Sequence, residues 1–420
     1  MRRFDNLADW LAWQETLHPR AIDLGLDRVR RVARTLGVES LGVPVFTVGG
    51  TNGKGSAVAL LDSILAASGL RVATFTSPHL VRYNERIRLQ GRAVSDESLV
   101  DAFARIDAAR GDTSLTFFEF NTLAALLAFR DAPIDVAVLE VGLGGRLDAV
   151  NLIDPDVALL MSIDFDHMDW LGNSLEDIGR EKAGIFRAGR PAVLGTSTMP
   201  ESVFAAARQL GVDLRMPPRD FSCSASNPGW NWQGRSLAFE NLPRPALSGN
   251  HQLGNAAAVL AALEAFGSIT ITRDGVSRGL QRATLSGRFE IVPGDAEWIF
   301  DVAHNPAAAA TLAAALIARP HRGRTIAVVG ILSDKDAVGI VSALDPHIDH
   351  WIAAGLPGPR GLTGAQLAQL CSPRTRAPWE AATDVAQACE LARKQARPGD
   401  RVVAFGSFHT VGPALEWRAR

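Results

Sequence analysis

The run Gly49-Gly50-Thr51-Asn52-Gly53-Lys54-Gly55-Ser56 carries the residue types that hold a polyphosphate. Thr51, Asn52, Gly53, Lys54, Gly55 and Ser56 supply backbone N–H groups, hydroxyls and one amine within a single turn. Glycines let successive N–H groups curl toward phosphate oxygens, and a following helix N-terminus adds partial positive charge. Lys54 can reach terminal phosphates, and Ser56 can stand beside a magnesium ion. The spacing departs from the ordinary phosphate loop. Gly55 separates Lys54 from Ser56, and Val48 holds the place where that pattern has its first Gly. A plain glycine-rich turn is the alternative reading.

Three further stretches have the chemistry of a metal or phosphoryl site. Glu140 ends the apolar run Val136–Leu139 and precedes Val141-Gly142-Leu143-Gly144-Gly145-Arg146-Leu147-Asp148. A carboxylate in such a place is costly unless a metal or a cation meets it. Magnesium takes a few carboxylates plus phosphate oxygens and water, so Glu140 beside the glycine loop is a metal candidate, with an Arg-paired Glu as the alternative. Ser77, in Thr76-Ser77-Pro78-His79, reads equally as a metal ligand or a turn former. His167 stands among Asp164, Asp166 and Asp169, which favours a ligand or proton-transfer role over a structural one.

Lysine usage singles out a fourth residue. Of 43 basic residues only Lys54, Lys182, Lys335 and Lys394 are Lys. Arg serves where any positive charge will do, so a retained Lys marks a need for an amine. An ammonium beside two magnesium ions is repelled, whereas carbamylation by CO2 converts the amine of Lys182 into a metal-binding carboxylate. A salt bridge to Glu181 or Asp177 is the plain alternative. Toward the C-terminus, Asp301 closes another apolar run and suits a ribose hydroxyl. Arg288, at a change of sequence pattern, suits an arginine that completes a phosphate site. Ser333–Asp336 and Gly406–Thr410 read as ordinary polar strand ends.

Positioning these residues requires a parallel sheet. Val45–Gly50, Arg71–Ser77, Asp135–Gly142, Val157–Ile163 and Pro191–Gly195 read as buried strands. Helical patterns lie near Ser56–Ala67, Asp96–Arg110, Phe118–Phe129 and Ser174–Arg187. Near-continuous apolar strands separated by helices predict a mostly parallel sheet covered on both faces, with ligands beyond the strands' carboxyl ends. Trp230–Gln233 and Ser236–Phe239 predict a small antiparallel excursion, followed by helices near Asn255–Phe266 and Arg273–Arg282. A second α/β series follows Gly287-Arg288. Its strands are Glu297–Val302, Thr325–Ile331, His350–Ala354 and Arg401–Ser407; its helices lie near Ala307–Ala318, Ala337–Leu344, Gly364–Cys371 and Ala382–Arg393. The expected architecture is α/β: an N-terminal ATPase domain over 1–286 with a phosphate-loop sheet, and a smaller Rossmann-like domain over 287–420.

Composition narrows the class. The chain has 420 residues, 47% apolar and 21% charged, with net charge −2. Two domains are the default at this length. So balanced a charge gives no electrostatic case for nucleic acid or membrane. No signal segment and no apolar run long enough to span a bilayer is apparent. Cys223, Cys371 and Cys389 are odd in number and widely spaced, as in a reduced cytoplasmic protein.

Taken together and in order, the segments Gly50–Ser56, Thr76–Arg82, Leu139–Asn151, Asp166–Phe186, His251–Asn255, Gly287–Phe289, Phe300–Pro306 and Phe405–Thr410 resemble the folylpolyglutamate synthase family of the Mur ligase superfamily. The closer likeness is to its bacterial bifunctional form, which is also a dihydrofolate synthase. The resemblance spans essentially the whole chain. It departs in small ways only: Gly49 and Val150 stand where the family often has Ala and Thr.

The resemblance implies that Thr51 to Ser56 hold ATP phosphates and that Asn255, Arg288 and Asp301 contact the nucleotide. Ser77 and Glu140 would bind one Mg2+, and Glu140, His167 and carbamylated Lys182 a second. Lys54, Lys182, His167 and Arg288 would be the catalytic set. Asp23-Leu24-Gly25-Leu26, Thr116-Phe117-Phe118-Glu119 and Leu147-Asp148-Ala149 match the family's pterin-binding stretches. The implied substrates are dihydropteroate, reduced folates and L-glutamate, handled by a monomer through an acyl phosphate. The alternatives are a folylpolyglutamate synthase alone or another Mur-type amino-acid ligase. The latter would be expected to carry a separate UDP-binding domain, for which the ~40 residues before the first strand are too few. A nucleotide switch without ligase activity has no use for Glu140 and His167.

Overall fold

The computed structural model describes residues 2–319 and 321–420, which form two compact units. The first comprises residues up to 79, 83–246 and 252–284; the second comprises 80–82, 247–251 and 285–420.

The first unit opens with two helices not among those expected, α1 (Leu7–Leu17) and α2 (Asp27–Leu36). The strands of its main sheet are β1 (Val45–Gly49), β2 (Val72–Phe75), β3 (Ile87–Leu89), β4 (Arg92–Ala93), β5 (Val136–Glu140), β6 (Val157–Leu160), β7 (Pro191–Leu194) and β8 (Asp213–Arg215). Between them run α3 (Lys54–Ala67), α4 (Asp96–Arg110), α5 (Phe117–Asp131), the single turn α6 (Met168–Leu171), α7 (Leu175–Ala183) and α8 (Glu201–Leu210). The order across the sheet is β4-β3-β2-β5-β1-β6-β7-β8, parallel except that β3 runs antiparallel to both β2 and β4. β1 is fully buried between β5 and β6. The chain therefore leaves β1 at the point where strand order reverses, which is where such sheets bind ligands.

On one face, Ala73, Phe75, Ala137 and Leu139 join an aromatic-rich core with Trp10, Phe103 and Phe120 from the covering helices. The other face carries α3, α9 (His251–Phe266) and α10 (Arg273–Arg282). The expected antiparallel excursion is a three-stranded sheet of β9 (Ser222–Ser226), β10 (Gly229–Gln233) and β11 (Ala238–Leu242). Trp232 ties it down: its indole N–H donates to the Ala257 carbonyl on α9 (3.0 Å).

In the second unit the order is β12-β13-β17-β14-β15-β16 for β12 (Glu290–Val292), β13 (Glu297–Asp301), β14 (Thr325–Val329), β15 (His350–Ala354), β16 (Trp379–Ala382) and β17 (Arg401–Phe405). Only β12 is antiparallel. Side chains alternate across this sheet. Ala327 and Val329 face one apolar cluster with α11 (Pro306–Ala318), α12 (Ala337–Leu344) and α13 (Gly364–Cys371), while Ile326 and Val328 face another with α14 (Val385–Gln395) and α15 (Phe408–Arg418). The helix expected from Ala382 starts later, because Ala382 pairs with Ala354 as the last residue of β16. Cys371 and Cys389 are buried free thiols. Among the described residues no helix is long and apolar enough to cross a membrane.

Candidate active site

The glycine loop leaves β1 and enters α3 through two backbone conformations that favour glycine. Gly50 has φ 138° and Gly53 has φ 88°. A Cβ on Gly50 would also meet the Ser162 nitrogen at 3.0 Å. The turn is tied to the end of β6. Thr51 N–H donates to the Ser162 carbonyl (2.7 Å), Asn52 N–H to Ser162 Oγ (3.0 Å), and Asp164 N–H to Thr51 Oγ1 (3.0 Å). Lys54 folds back over the loop, donating to the carbonyls of Gly50 (2.9 Å) and Thr51 (3.1 Å). From α9, Gln252 Nε2 donates to Ser56 Oγ (3.2 Å), and Gln252 Oε1 accepts from Asn255 Nδ2 (2.9 Å). A Cβ on Gly53 would come within 3.3 Å of Asn255 Oδ1. Asn255 thus borders the loop. Ser162, Asp164 and Gln252 are loop partners that spacing alone did not single out.

Glu140, 5% exposed, ends β5 beside β1 and accepts the Ser77 N–H at Oε2 (3.2 Å). The contact runs through the Ser77 backbone and does not involve its hydroxyl. His167 immediately precedes α6 with φ 52°, its N–H donating to Asp166 Oδ1 (2.9 Å) and its Nε2 3.8 Å from Asp166 Oδ2. Lys182 is 5% exposed on α7 and donates to the Gly50 carbonyl (3.2 Å). Burial and the nearby Lys54 ammonium bring its amine down to about 7, against the pull of Asp166 and Asp148. The plain alternatives for Lys182 are taken by other cations: Glu181 pairs with Arg146 (2.8 Å) and Asp177 with Arg180 (2.9 Å).

Among the described residues no three His, Cys, Asp or Glu side chains group as a metal site. The expected ligands are a hydroxyl, a carboxylate, an imidazole and an amine that burial keeps easy to neutralise. That set fits a hard cation that also takes phosphate oxygens and water.

The stretches expected to meet a pterin share the first unit, and several of their polar groups hold local structure. Thr116 and Glu119 form a reciprocal capping box at the start of α5. Glu119 also accepts from Arg28 Nη2 (3.1 Å), and Arg28 Nη1 donates to Asp23 (2.6 Å), so one guanidinium joins the Asp23–Leu26 segment to α5. Phe117 and Phe118 occupy the first turn of that helix, with Phe118 against Phe75 (5.8 Å between rings). Gly142 makes room for Phe118: a Cβ there would lie 2.5 Å from its Cζ. Asp148 accepts N–H groups from Leu143 (2.8 Å) and Val150 (2.9 Å), which shapes the turn carrying Leu147 and Ala149. Burial pushes its carboxyl up to about 7.

In the second unit, Arg288 lies over the Phe408 ring (5.3 Å) and donates to the Gly287 carbonyl (3.3 Å). Asp301 accepts the N–H groups of Phe289 and Ala303 (2.8 Å each). Burial holds its carboxyl above the usual range, with Arg288 opposing. A carboxylate retains further lone pairs beyond these two bonds.

The fold and this loop define a Mur-type ligase: residues 48–197 match the Mur ligase middle domain, and residues 287–408 the Mur ligase glutamate ligase domain. The chain is 45% identical over 410 residues to the dihydrofolate synthase/folylpolyglutamate synthase of Escherichia coli K12, covering 98% of this chain and 95% of that protein. It belongs to the dihydrofolate synthase/folylpolyglutamate synthase family. Among solved structures, E. coli FolC in complex with DHPP and ADP superimposes with TM-score 0.94 at 44% identity, covering 99% of this chain and 98% of that one. A bifunctional folylpolyglutamate synthase/dihydrofolate synthase with Mn, AMPPNP and L-glutamate bound gives TM-score 0.92 at 44% identity, with full coverage of both chains.

Proposed function

We propose that this chain is a bifunctional ATP-dependent ligase that adds L-glutamate to dihydropteroate and to reduced folates. The observation that carries the reading is full-length membership of a family with both activities, in a chain whose Lys54 and Lys182 converge on the Gly50 carbonyl just after β1, with Glu140 paired in register with Val48 on the neighbouring strand. An acceptor carboxylate oxygen attacks the γ-phosphorus of ATP as the bond to the β-phosphate oxygen breaks, giving an acyl phosphate and ADP. The glutamate amine then attacks the acyl carbon, and phosphate leaves from the tetrahedral intermediate. Nothing in this sequence needs a protein nucleophile. The protein's part is positioning and charge neutralisation. Thr51 to Ser56 cradle the phosphates, and Lys54 offsets their charge. Asn255, Arg288 and Asp301 are the proposed nucleotide contacts.

The donor types support divalent metal: Ser77 and Glu140 would hold one ion, and Glu140, His167 and a carbamylated Lys182 a second, and metal bound there would neutralise charge on the phosphoryl group. Two Mg2+ ions, a monomeric state and a cytoplasmic setting complete the reading. Residues 1–286 would carry ATP and pterin, and residues 287–420 would form the glutamate-ligase domain.

The test is ADP release with magnesium, ATP and L-glutamate, adding dihydropteroate or tetrahydrofolate. Stimulation by both is expected. Stimulation by one alone assigns the chain to a single synthase, and silence with both overturns the folate reading.

A further inference from the structure

Arg86 is a buried cation that the residues assigned so far leave without a task. It closes the short turn Tyr83–Arg86 that leads into β3, and it is 8% exposed. A guanidinium keeps its charge, so burial demands compensation. Its Nε donates to Nδ1 of His79 (2.9 Å), an acceptor and not a counter-charge. Its guanidinium carbon lies 5.6 Å from the ring centroids of both Tyr83 and Phe117. The Tyr83 hydroxyl donates to Asn121 Oδ1 on α5, which fixes one of those rings.

Even half-buried arginines in this unit end on carboxylates: Arg28 on Asp23 and Glu119, and Arg215 on Glu264. Among the described residues Arg86 forms no ion pair, and its Nη groups donate to no protein acceptor. Neither Nη is completely enclosed by protein. Burial works against its charge, and Tyr83, Glu140 and Glu85 oppose that through space.

The neighbours of this guanidinium belong to opposite ends of the reaction. Phe117 lies in a stretch assigned to the pterin acceptor, and Glu140 at the phosphoryl end. An acceptor carboxylate has to reach from one to the other, and a cation between them would hold it on that path. A planar fork of N–H donors suits a carboxylate better than any other side chain. We propose that Arg86 binds the acceptor's carboxylate through its Nη groups, between Phe117 and Glu140, and holds it for attack on the γ-phosphorus. The inference rests on the ligase reading above and adds the residue that recognises the reacting group. In the step it serves, a carboxylate oxygen forms the new bond to phosphorus, and ADP leaves with the electron pair of the broken bond.

The experiment compares dihydropteroate with its carboxamide, which has the same rings and no negative charge, by fluorescence titration in the presence of Mg-ADP. Arg86→Gln is expected to weaken dihydropteroate about 10- to 100-fold, the range for a hydrogen bond to a charged group, while carboxamide binding moves less than about threefold. Nucleotide affinity is expected to stay as in the wild type. Equal losses for both ligands would show that Arg86 only supports the aromatic rings, and would overturn the proposal, as would unchanged binding of dihydropteroate. Should Arg86→Gln fail to fold, Arg86→Lys decides by the same comparison, since it keeps the charge and lacks the fork. Selective weakening of the carboxylate ligand supports the proposal, and equal or absent loss overturns it. A wild-type protein that binds neither ligand would overturn the ligase reading and this inference together. A wild-type protein that binds and turns over dihydropteroate upholds the ligase reading, so that a failure in the variants then counts against Arg86 alone.

Discussion

Lys182 and Lys54 donate to one acceptor, the Gly50 carbonyl oxygen, at 3.2 and 2.9 Å. Two amines converge there although the whole chain contains only four lysines. Like charges so placed repel, and Lys182, the more deeply buried, is the one whose amine falls to about 7. A neutral amine is the form that reacts with CO2, and the resulting carbamate would replace repulsion with attraction. Lys182→Ala is expected to lower kcat by about 10² or more, with partial recovery on adding short carboxylates such as acetate. Full activity of the variant without any added carboxylate would end the carbamate idea.

Charge stabilisation at the phosphates can be probed one group at a time. Lys54→Ala, Glu140→Ala and Arg288→Ala are each expected to lower kcat by about 10² or more, as loss of a charge-stabilising group commonly does. Steady-state ADP release with both acceptors measures this, and melting curves check that each variant is folded. Wild-type turnover by any one of them refutes the role given to that residue.

The strands that carry the site were legible because buried parallel strands are nearly continuous apolar runs. Val45–Gly49, Val136–Glu140 and Val157–Leu160 are short, β-branched and bounded by glycine or acid, and the structure makes them neighbours. Lys54, Glu140 and Lys182 stood out for chemical reasons: amines in an arginine-rich chain and a carboxylate at the end of an apolar strand. Other features had a weaker local signal, or one left unread. α1 mixes apolar, charged and aromatic residues around its whole circumference, and only the core around Trp10 reveals which face is buried, whereas α2 does carry a legible stripe, Val29, Val32 and Ala33 at helical spacing ahead of Gly37, that the strand-led reading passed over. The turn partners Ser162 and Gln252 act across 110 and 196 residues of sequence, and their types are common in any loop or helix. Arg86 was hidden among 43 basic residues, since burial without a counter-ion is a property of the fold and not of spacing.

The contact between Gly142 and Phe118 yields a prediction about the acceptor. An added methyl would sit 2.5 Å from Phe118 Cζ, far inside contact distance, and the ring already leans on Phe75. Overpacking of this kind forces the side chain out of place. Gly142→Ala is expected to raise KM for dihydropteroate about tenfold, since ~1.4 kcal/mol of such strain is a factor of ten, and to leave KM for ATP within about twofold. An unchanged acceptor KM in a folded variant would remove Phe118 from the pterin site.

Asp62 gives a stability prediction whose sign follows from burial. It lies on α3, the helix that begins at Lys54, and burial raises its carboxyl from 3.8 to about 6, with Arg88 opposing. The folded protein therefore binds more protons than the unfolded chain between about pH 4 and pH 6, so ionisation of this group weakens folding as pH rises through that window. The stabilisation is complete below the unfolded value, is lost on passing the folded one, and changes no further above it. A shift of about two pH units corresponds to ~3 kcal/mol at most, less whatever local relaxation recovers. Asp62→Asn has no proton to lose. Its melting temperature relative to wild type is expected to climb between pH 4 and pH 6 and then hold a plateau a few degrees higher, in line with ~2–4 °C per kcal/mol. Thermal melts of both proteins at half-unit intervals from about pH 4 to pH 7.5 read this directly. Parallel curves across that range would mean that solvent or Arg88 compensates the carboxylate in full, and that Asp62 is not a source of pH dependence in this fold.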